Sequence, residues 1–282
     1  MRSRTCAIRI RNGRRKEAIP TITIAGAETN VDTSSWPPVA RQVYERKRAS
    51  PTVYAYPSAG QLRHEMELRA AIVSAAEALA GSGLRFEDFD KAACNEQLWH
   101  LTKEGGFRIR EDAAPANGIR DIFSNGWRYA TECATATVIA VYRGVLATMR
   151  EPDFNSLFSG LLLYDWHTDS DLRLTVRQDA KESFPGDLLY FANPDFDPDD
   201  AIWRGENVVK ISDNLYYGHP FGIVPGETIV AGLNRHRRPG SSVSAYLKDD
   251  VVYPDYAYLS QFAAVGDPRR IFARIGSRRY VW

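Results

Sequence analysis

The sequence predicts an α+β domain in which an antiparallel sheet packs against a buried helix. Apolar residues at helical spacing dominate the chain before Asp153, and short apolar or alternating segments separated by turns follow it. One helix between the two regions is apolar around most of its circumference, which is typical of a helix inside a core. Helices that precede a run of strands are typical of an α+β domain.

The first 57 residues are expected to form an N-terminal region beside the main domain, which spans 58–282. Residues 1–16 hold seven basic residues and no acidic one, which predicts a solvated or frayed basic arm, with capture of an anionic partner as the alternative. Residues 33–57 hold four prolines around the charged VYERKR stretch. They predict an extended wrap onto the body, with room for one helical turn.

Three helices are predicted in the first half of the main domain. A capping box at Ser58 starts the first helix, which apolar residues at helical spacing extend over 59–80. A second helix is expected over 115–125, between an opening proline and a closing Asn-Gly pair. The third starts near Thr131 and reads ECATATVIAVYRGVLATM, and its apolar circumference predicts burial.

Strands are predicted after Asp153. The segments are LLLYDW, LRLTV, GDLLYF, ENVVKI and YYGHPFGIV, with Asn-Pro, Asp-Asn and Pro-Gly turns between them. Turn-separated short strands of this kind predict the antiparallel sheet.

Composition narrows the classes of function. The 282 residues contain 36 Lys and Arg against 35 Asp and Glu, which is too balanced for nucleic-acid binding through bulk charge. No window approaches the roughly 18 apolar residues of a membrane span, and the first twenty residues lack the apolar core of a signal peptide. Three cysteines are too few for a disulfide framework. The expected location is therefore the cytoplasm.

Cys133 lies at the start of the third predicted helix. Free N–H groups and the positive end of the helix macrodipole favour a thiolate at that position. A nucleophilic cysteine at the N-terminus of a core helix, followed by a base on a later strand, is the papain-like layout. The competing interpretation is a small, inert buried residue.

The residues alone leave the base open. His167 and His219 fall in or beside predicted strands after the cysteine, so either could act as a papain-type base. Glu132 directly precedes the cysteine, and Glu206 begins ENVVKI. A charged carboxylate raises the pKa of a nearby thiol, so it can act as a base only where both groups are desolvated and share one proton. Aromatic residues that could provide this dry setting are Tyr164, Trp166, Tyr190 and Trp203.

Four separated segments carry a family resemblance. They are YATECATATVIAVY at 129–142, LLLYDWH at 161–167, GDLLYFANPDFDP at 186–198 and WRGENVV at 203–209. In this order they resemble the bacterial protein-glutamine gamma-glutamyltransferases, the spore-coat transglutaminases of spore-forming bacteria. The resemblance covers roughly residues 58–247.

The resemblance implies an NlpC-like, papain-related cysteine-peptidase core. Cys133 would be the nucleophile, because it matches the cysteine of the family's ECATA motif, and Glu206 of WRGEN would be its partner. Glu132 would be a partly redundant second carboxylate, and His219 would orient the pair. The aromatics expected to wall a tunnel around the thiol are Phe86, Trp166 and Trp203. No metal and no cofactor is implied.

The implied reaction is crosslinking of protein glutamine to lysine. Cys133 attacks the side-chain carboxamide of a peptide glutamine, ammonia leaves, and a lysine amine then resolves the thioester into an isopeptide bond. Apolar walls would keep water from the thioester, so that transfer outruns hydrolysis. The expected partners are glutamine- and lysine-bearing proteins, for a monomeric enzyme that would act in the spore coat if its source sporulates.

Two other functions compete with this interpretation. The first is a papain-like hydrolase, a peptidase or amidase in which His219 or His167 is the base and water the acceptor. The second is a non-catalytic shell that binds a partner through the basic arm.

Overall fold

The structure is a computed structural model that describes residues 21–264 and the backbone of the strands at 272–275 and 278–281. The predicted basic arm over 1–16 lies outside the described residues. The α-helices of the described part are α1 Pro38–Ala49, α2 Ala59–Ala80, α3 Pro115–Ser124, α4 Cys133–Thr148, α5 Glu151–Leu157, α6 Gly226–Asn234 and α7 Tyr256–Leu259. Short 3-10 helices are Phe89–Lys91, Gly126–Arg128, Ala180–Glu182, Pro198–Trp203 and Ser260–Phe262.

The strands lie mostly in the second half of the chain. They are β1 Ile22–Ile24, β2 Ala27–Glu28, β3 Tyr54–Tyr56, β4 Arg85–Phe86, β5 Trp99–Leu101, β6 Phe107–Ile109, β7 Ala130–Thr131, β8 Leu162–Leu163, β9 Thr175–Gln178, β10 Leu188–Ala192, β11 Gly205–Ser212, β12 Leu215–Gly218, β13 Gly222–Pro225, β14 Tyr246–Leu247, β15 Asp250–Tyr253, β16 Phe272–Ile275 and β17 Arg278–Val281. The main sheet has the order β13-β12-β11-β10-β15-β9, with β14 paired to β10, and every neighbouring pair in it is antiparallel.

Strand β11 lies between two packed layers. Val209 and Ile211 face the main core, which contains the buried faces of α2 and α4, whereas Val208 packs with Ile229 and Leu233 of α6. Side chains of a strand alternate between its two faces, so a strand covered on both sides is apolar along its length. The mixed α/β fold, the buried third helix and the antiparallel sheet agree with the sequence prediction.

The predicted helices fold close to the expected bounds. The side chain of Ser58 accepts the N–H of Gln61 at 3.2 Å and caps α2. The third helix begins at Cys133 rather than near Thr131, because Glu132 occupies the N-cap position. All residues from Cys133 to Tyr142 are buried.

The interpretation of 33–57 as an extended wrap was wrong. Pro38 lies in the first turn of α1, a position where proline is tolerated because its missing N–H would have no partner. The buried residues of α1 are Ala40, Val43, Tyr44 and Lys47, which follow helical spacing. The prolines therefore flank a three-turn amphipathic helix instead of extending the chain.

A buried ion cluster joins α1 to α2 and the main sheet. Lys47 lies 2.7 Å from Glu65, whose carboxylate also pairs with Arg69 at 2.8 Å, and Arg69 contacts Asp187 at 2.6 Å. Burial alone would raise the pKa of Glu65, but the charges of Lys47 and Arg69 outweigh burial and lower this pKa to about 2. Helix α1 is thus attached to the rest of the described chain through buried charge as well as through its apolar contacts.

None of the helices in the described ranges combines the length and the apolar character that crossing a bilayer requires.

Candidate active site

The first turn of α4 presents the thiol. Glu132 is the N-cap, and its carboxylate accepts the backbone N–H groups of Ala134 and of Thr135, the latter at 2.8 Å. These bonds satisfy two of the free N–H groups at the helix start. Burial raises the pKa of Glu132 in spite of them. Cys133 is the first residue of the helix proper.

The thiol of Cys133 is enclosed, with 8% of the residue exposed. Burial raises the pKa of this thiol well above its usual value, and the charges of Glu206 and Glu132 raise it further. Asn207 opposes that shift through its backbone and through its side chain, whose Nδ2 donates a hydrogen bond to Sγ at 3.3 Å. In the described part of the chain, Asn207 is the only residue hydrogen-bonded to the sulfur, and neither carboxyl group is bonded to the resting thiol.

Glu206 lies near the start of β11 and is almost fully buried. Its Oε1 accepts the backbone N–H of His219 at 2.6 Å. Gly218 makes room for this contact, since a Cβ there would lie 2.8 Å from the same oxygen. Burial raises the pKa of Glu206 well above its usual value. The proposed nucleophile and its proposed partner are therefore both difficult to ionise alone.

The histidines are not placed as thiol bases. The ring Nε2 of His219 is 3.1 Å from the carbonyl oxygen of Arg85, and because a carbonyl only accepts, this nitrogen carries the proton. Burial lowers the pKa of His219, which favours the neutral ring. His167 is exposed. Neither imidazole is hydrogen-bonded to Cys133.

The three expected wall aromatics fall into two groups. Phe86 packs against Trp203 at 5.5 Å between ring centroids and against His219 at 5.6 Å. Trp166 lines the pocket that Cys133 also lines, whereas Phe86 and Trp203 are not part of its lining, and it donates its indole N–H to Oδ1 of Asn207 at 3.1 Å. That pocket has a volume of about 640 Å³, and its lining includes Cys133. Charged residues also line it, so the cavity is not purely apolar: Asp88, Asp165, Arg204, Lys248 and Asp250.

Sequence reasoning missed two residues at this centre. Asn207 follows Glu206 inside WRGENVV, and a polar residue within an apolar strand was the available signal. Tyr217 on β12 is buried, and its hydroxyl has no hydrogen-bond partner among the described residues. Burial and the charges of Glu206 and Cys133 raise the pKa of this hydroxyl. Nothing in the sequence separates Tyr217 from an ordinary core tyrosine.

Within the described ranges, no group of three or more His, Cys, Asp or Glu side chains is arranged to hold a metal ion.

The chain matches the model of the family described as protein-glutamine gamma-glutamyltransferase over residues 21–263. It belongs to this family. The match begins at residue 21 rather than 58, so α1 and β1–β3 are part of what the chain shares with the family.

Relatives with the same description are similar over most of their length. A Bacillus mycoides (strain KBAB4) protein-glutamine gamma-glutamyltransferase is 38% identical over 240 residues, which cover 84% of this chain and 87% of that protein. One from Bacillus pumilus (strain SAFR-032) is 40% identical over 221 residues, covering 78% and 89%. The structure of a transglutaminase from Geobacillus stearothermophilus without its C-terminal extension matches with a TM-score of 0.72 and 45% identity, covering 74% of this chain and all of that one. The mixed α/β fold is therefore that of a bacterial transglutaminase.

Proposed function

We propose that this protein is a protein-glutamine gamma-glutamyltransferase that crosslinks glutamine- and lysine-bearing proteins, with Cys133 as nucleophile and Glu206 as its proton acceptor. The observation that carries the proposal is a thiol enclosed at the start of a buried helix, near the buried carboxyl groups of Glu132 and Glu206, in a member of this family.

The first half-reaction forms a thioester. Glu206 takes the thiol proton while Sγ attacks the carboxamide carbon of a glutamine side chain, and the C–N bond then breaks as the proton passes to the departing ammonia. A thiol and a carboxylate that are both desolvated exchange a proton at lower cost than either would need to ionise alone. Hydrogen bonds between catalytic groups often form only once substrate is bound, and we assign the contact between Sγ and Glu206 to that state.

The second half-reaction releases the crosslinked product. A lysine amine attacks the thioester carbon and gives a proton to Glu206, and the C–S bond breaks as Glu206 returns this proton to Sγ, which leaves an isopeptide bond and the thiol. Enclosure of the sulfur limits competition by water. Glu132 supplies a second carboxylate near the thiol, and His219 orients Glu206 through its backbone N–H.

The finer fold assignment is a papain-related core. It is supported by the position of Cys133 at the start of buried α4 and by the packing of that helix on β11, which carries Glu206. All proposed catalytic side chains lie within 58–282, which we propose as the catalytic domain beside the region 1–57. We further propose that the enzyme acts as a monomer, and in the spore coat if its source sporulates.

A papain-like hydrolase is not favoured. Its base would be an imidazole, and the ring of His219 is bonded to the backbone of Arg85 while His167 is exposed.

Incubation of the enzyme with a glutamine-rich protein and a fluorescent amine tests the proposal. We expect covalent labelling that Cys133→Ala abolishes and Cys94→Ala retains. Glu206→Gln is expected to lower the rate by about a hundred- to ten-thousand-fold, and Glu132→Gln by less. Ammonia release without labelling would indicate a hydrolase. Full rates in both glutamate variants together with an inactive His219→Ala would refute the carboxylate assignment.

A further inference from the structure

The side chain bonded to the thiol has no role in the reaction described above. Asn207 follows Glu206 on β11 and is held at three points. Its backbone carbonyl accepts the hydroxyl of Thr137, one turn beyond Cys133, at 3.2 Å. Its Oδ1 accepts the indole N–H of Trp166 at 3.1 Å, and its Nδ2 donates to the sulfur at 3.3 Å.

The indole N–H of Trp166 determines the orientation of the Asn207 carboxamide. An indole N–H only donates, so it selects the oxygen of Asn207 as its partner. The amide nitrogen must then face the sulfur. Without that bond the carboxamide would be free to turn its oxygen toward the thiol, where it would repel developing negative charge.

A second donor is available beside the same sulfur. The N–H of Cys133 is the first of α4 and has no acceptor within the helix. The next two N–H groups are taken by Glu132. No acceptor among the described residues is bonded to the N–H of Cys133, so it remains able to bind an oxygen atom placed at the thiol.

We propose that Asn207 is the side-chain oxyanion donor of this active site and that Trp166 is the residue that positions it. The inference rests on the proposed thiol chemistry. In the resting enzyme, one N–H of Nδ2 bonds to Sγ. As the S–C bond forms, the carbonyl electron pair moves onto the substrate oxygen, and the Nδ2 group and the N–H of Cys133 bind the oxyanion until it collapses and expels ammonia. The same donors serve the tetrahedral intermediate formed with the amine.

Kinetics of Asn207 variants test the donor role. We expect Asn207→Ala to lower kcat about 100- to 1,000-fold with little change in KM, because the oxyanion exists only in the transition state and the intermediate. Asn207→Leu, of similar shape, carries the same test if the alanine variant fails to fold. A wild-type kcat in a folded variant would overturn the assignment.

A double-mutant cycle tests the positioning role. Trp166→Phe keeps an aromatic wall but loses the N–H, and we expect about a tenfold loss of kcat. In the Asn207→Ala background the same change should cost nothing more, because its effect acts through Asn207. Trp203→Phe is the matched comparator, because it removes an indole that packs on Phe86 and has no bond to Asn207. Any loss of kcat in this variant should therefore add to that of Asn207→Ala. Additive losses for Trp166→Phe would refute its positioning role.

A substrate-free measurement separates this inference from the proposed function. The rate at which iodoacetamide alkylates Cys133, followed by peptide mass spectrometry against pH, reports the ionisation of the thiol. Asn207→Ala should move the midpoint to higher pH, whereas a merely structural effect would change the maximal rate. An unchanged midpoint overturns the contact between the Asn207 side chain and the thiol. Failure of the wild-type enzyme to incorporate amine would instead overturn the proposed function.

Discussion

The two carboxylates whose charges act on Cys133 are held in different ways. Both oxygens of Glu132 accept N–H groups of α4, which engages the side chain as a helix cap. Glu206 uses only Oε1, and no described residue donates a hydrogen bond to Oε2. A base needs an oxygen free to take a proton, so we favour Glu206 over Glu132.

Burial of Glu206 also predicts a pH dependence of stability. The pKa of Glu206 is raised in the folded state. The contribution of the protonated side chain to folding stability is therefore fully present below the ordinary carboxyl pKa, and it is lost as pH rises through the raised value. Glu206→Gln should therefore be more stable than wild type at about pH 9, and the difference should shrink toward about pH 5. Urea unfolding across this range measures it. Glu227→Gln changes an exposed carboxylate and is the control, which should leave the stability at alkaline pH unchanged. If the free energies of unfolding of wild type and Glu206→Gln changed in parallel with pH, the prediction would be contradicted.

At the level of elements, the position of Cys133 depends on how closely α4 approaches α2. Gly144 of α4 faces Ile72 of α2, and a Cβ at that glycine would lie 2.6 Å from Cγ1 of Ile72 and 2.9 Å from its backbone nitrogen. Because one of these atoms belongs to the backbone, a larger residue would have to separate the helices. The absence of a side chain at 144 therefore sets the depth at which α4 lies in the core.

Gly144→Ala is expected to destabilise the protein in spite of the better helix propensity of alanine. Overpacking costs about 1–3 kcal/mol, and approaches as close as 2.6 Å favour the upper part of that range, above the roughly 1 kcal/mol that alanine gains over glycine within a helix. The free energy of unfolding in urea measures the net loss. Gly160→Ala is the matched control, because its Cβ would meet no atom within 4 Å and the change should stay within about 0.5 kcal/mol. Equal stabilities of the two variants would show that the helices adjust freely.

Across the whole molecule, the buried ion cluster connects α1 to α2 and to the main sheet. Lys47 comes from α1, Glu65 and Arg69 from α2, and Asp187 from the turn that leads into β10. Burial lowers the pKa of Lys47, which its neighbouring carboxylate opposes. Removing one member of such a cluster leaves its partners buried without full compensation.

Lys47→Met should therefore cost about 3 kcal/mol of stability near neutral pH. The pKa of Glu65 is lowered to about 2, so its contribution is present above the ordinary carboxyl pKa and is lost as pH falls toward about 2. The variant should consequently lose less stability on acidification than wild type, which urea unfolding at several acidic pH values would show. Arg63→Met breaks a more exposed pair on the same helix, with Glu67, and should cost under about 1 kcal/mol. Similar losses in both variants would mean that burial adds nothing to the cluster.

The sequence by itself determined the α+β class, the three helices of the main domain, the strands after Asp153 and the family. These follow from signals that act within a few residues, such as the cap at Ser58, the apolar circumference of α4 and the motifs around Cys133 and Glu206. Even the missed helix α1 has a local pattern, which its flanking prolines obscured.

Only the tertiary structure decided which residues of the site are hydrogen-bonded to one another. The bond between Asn207 and Cys133 spans 74 residues of sequence, and the one between His219 and Arg85 spans 134. Periodicity and propensity carry no information on which strand edge meets which helix terminus, since that follows from packing α4 on β11. For the same reason the sequence left a histidine and a carboxylate open as the base, and the fold turned the ring of His219 toward a backbone carbonyl.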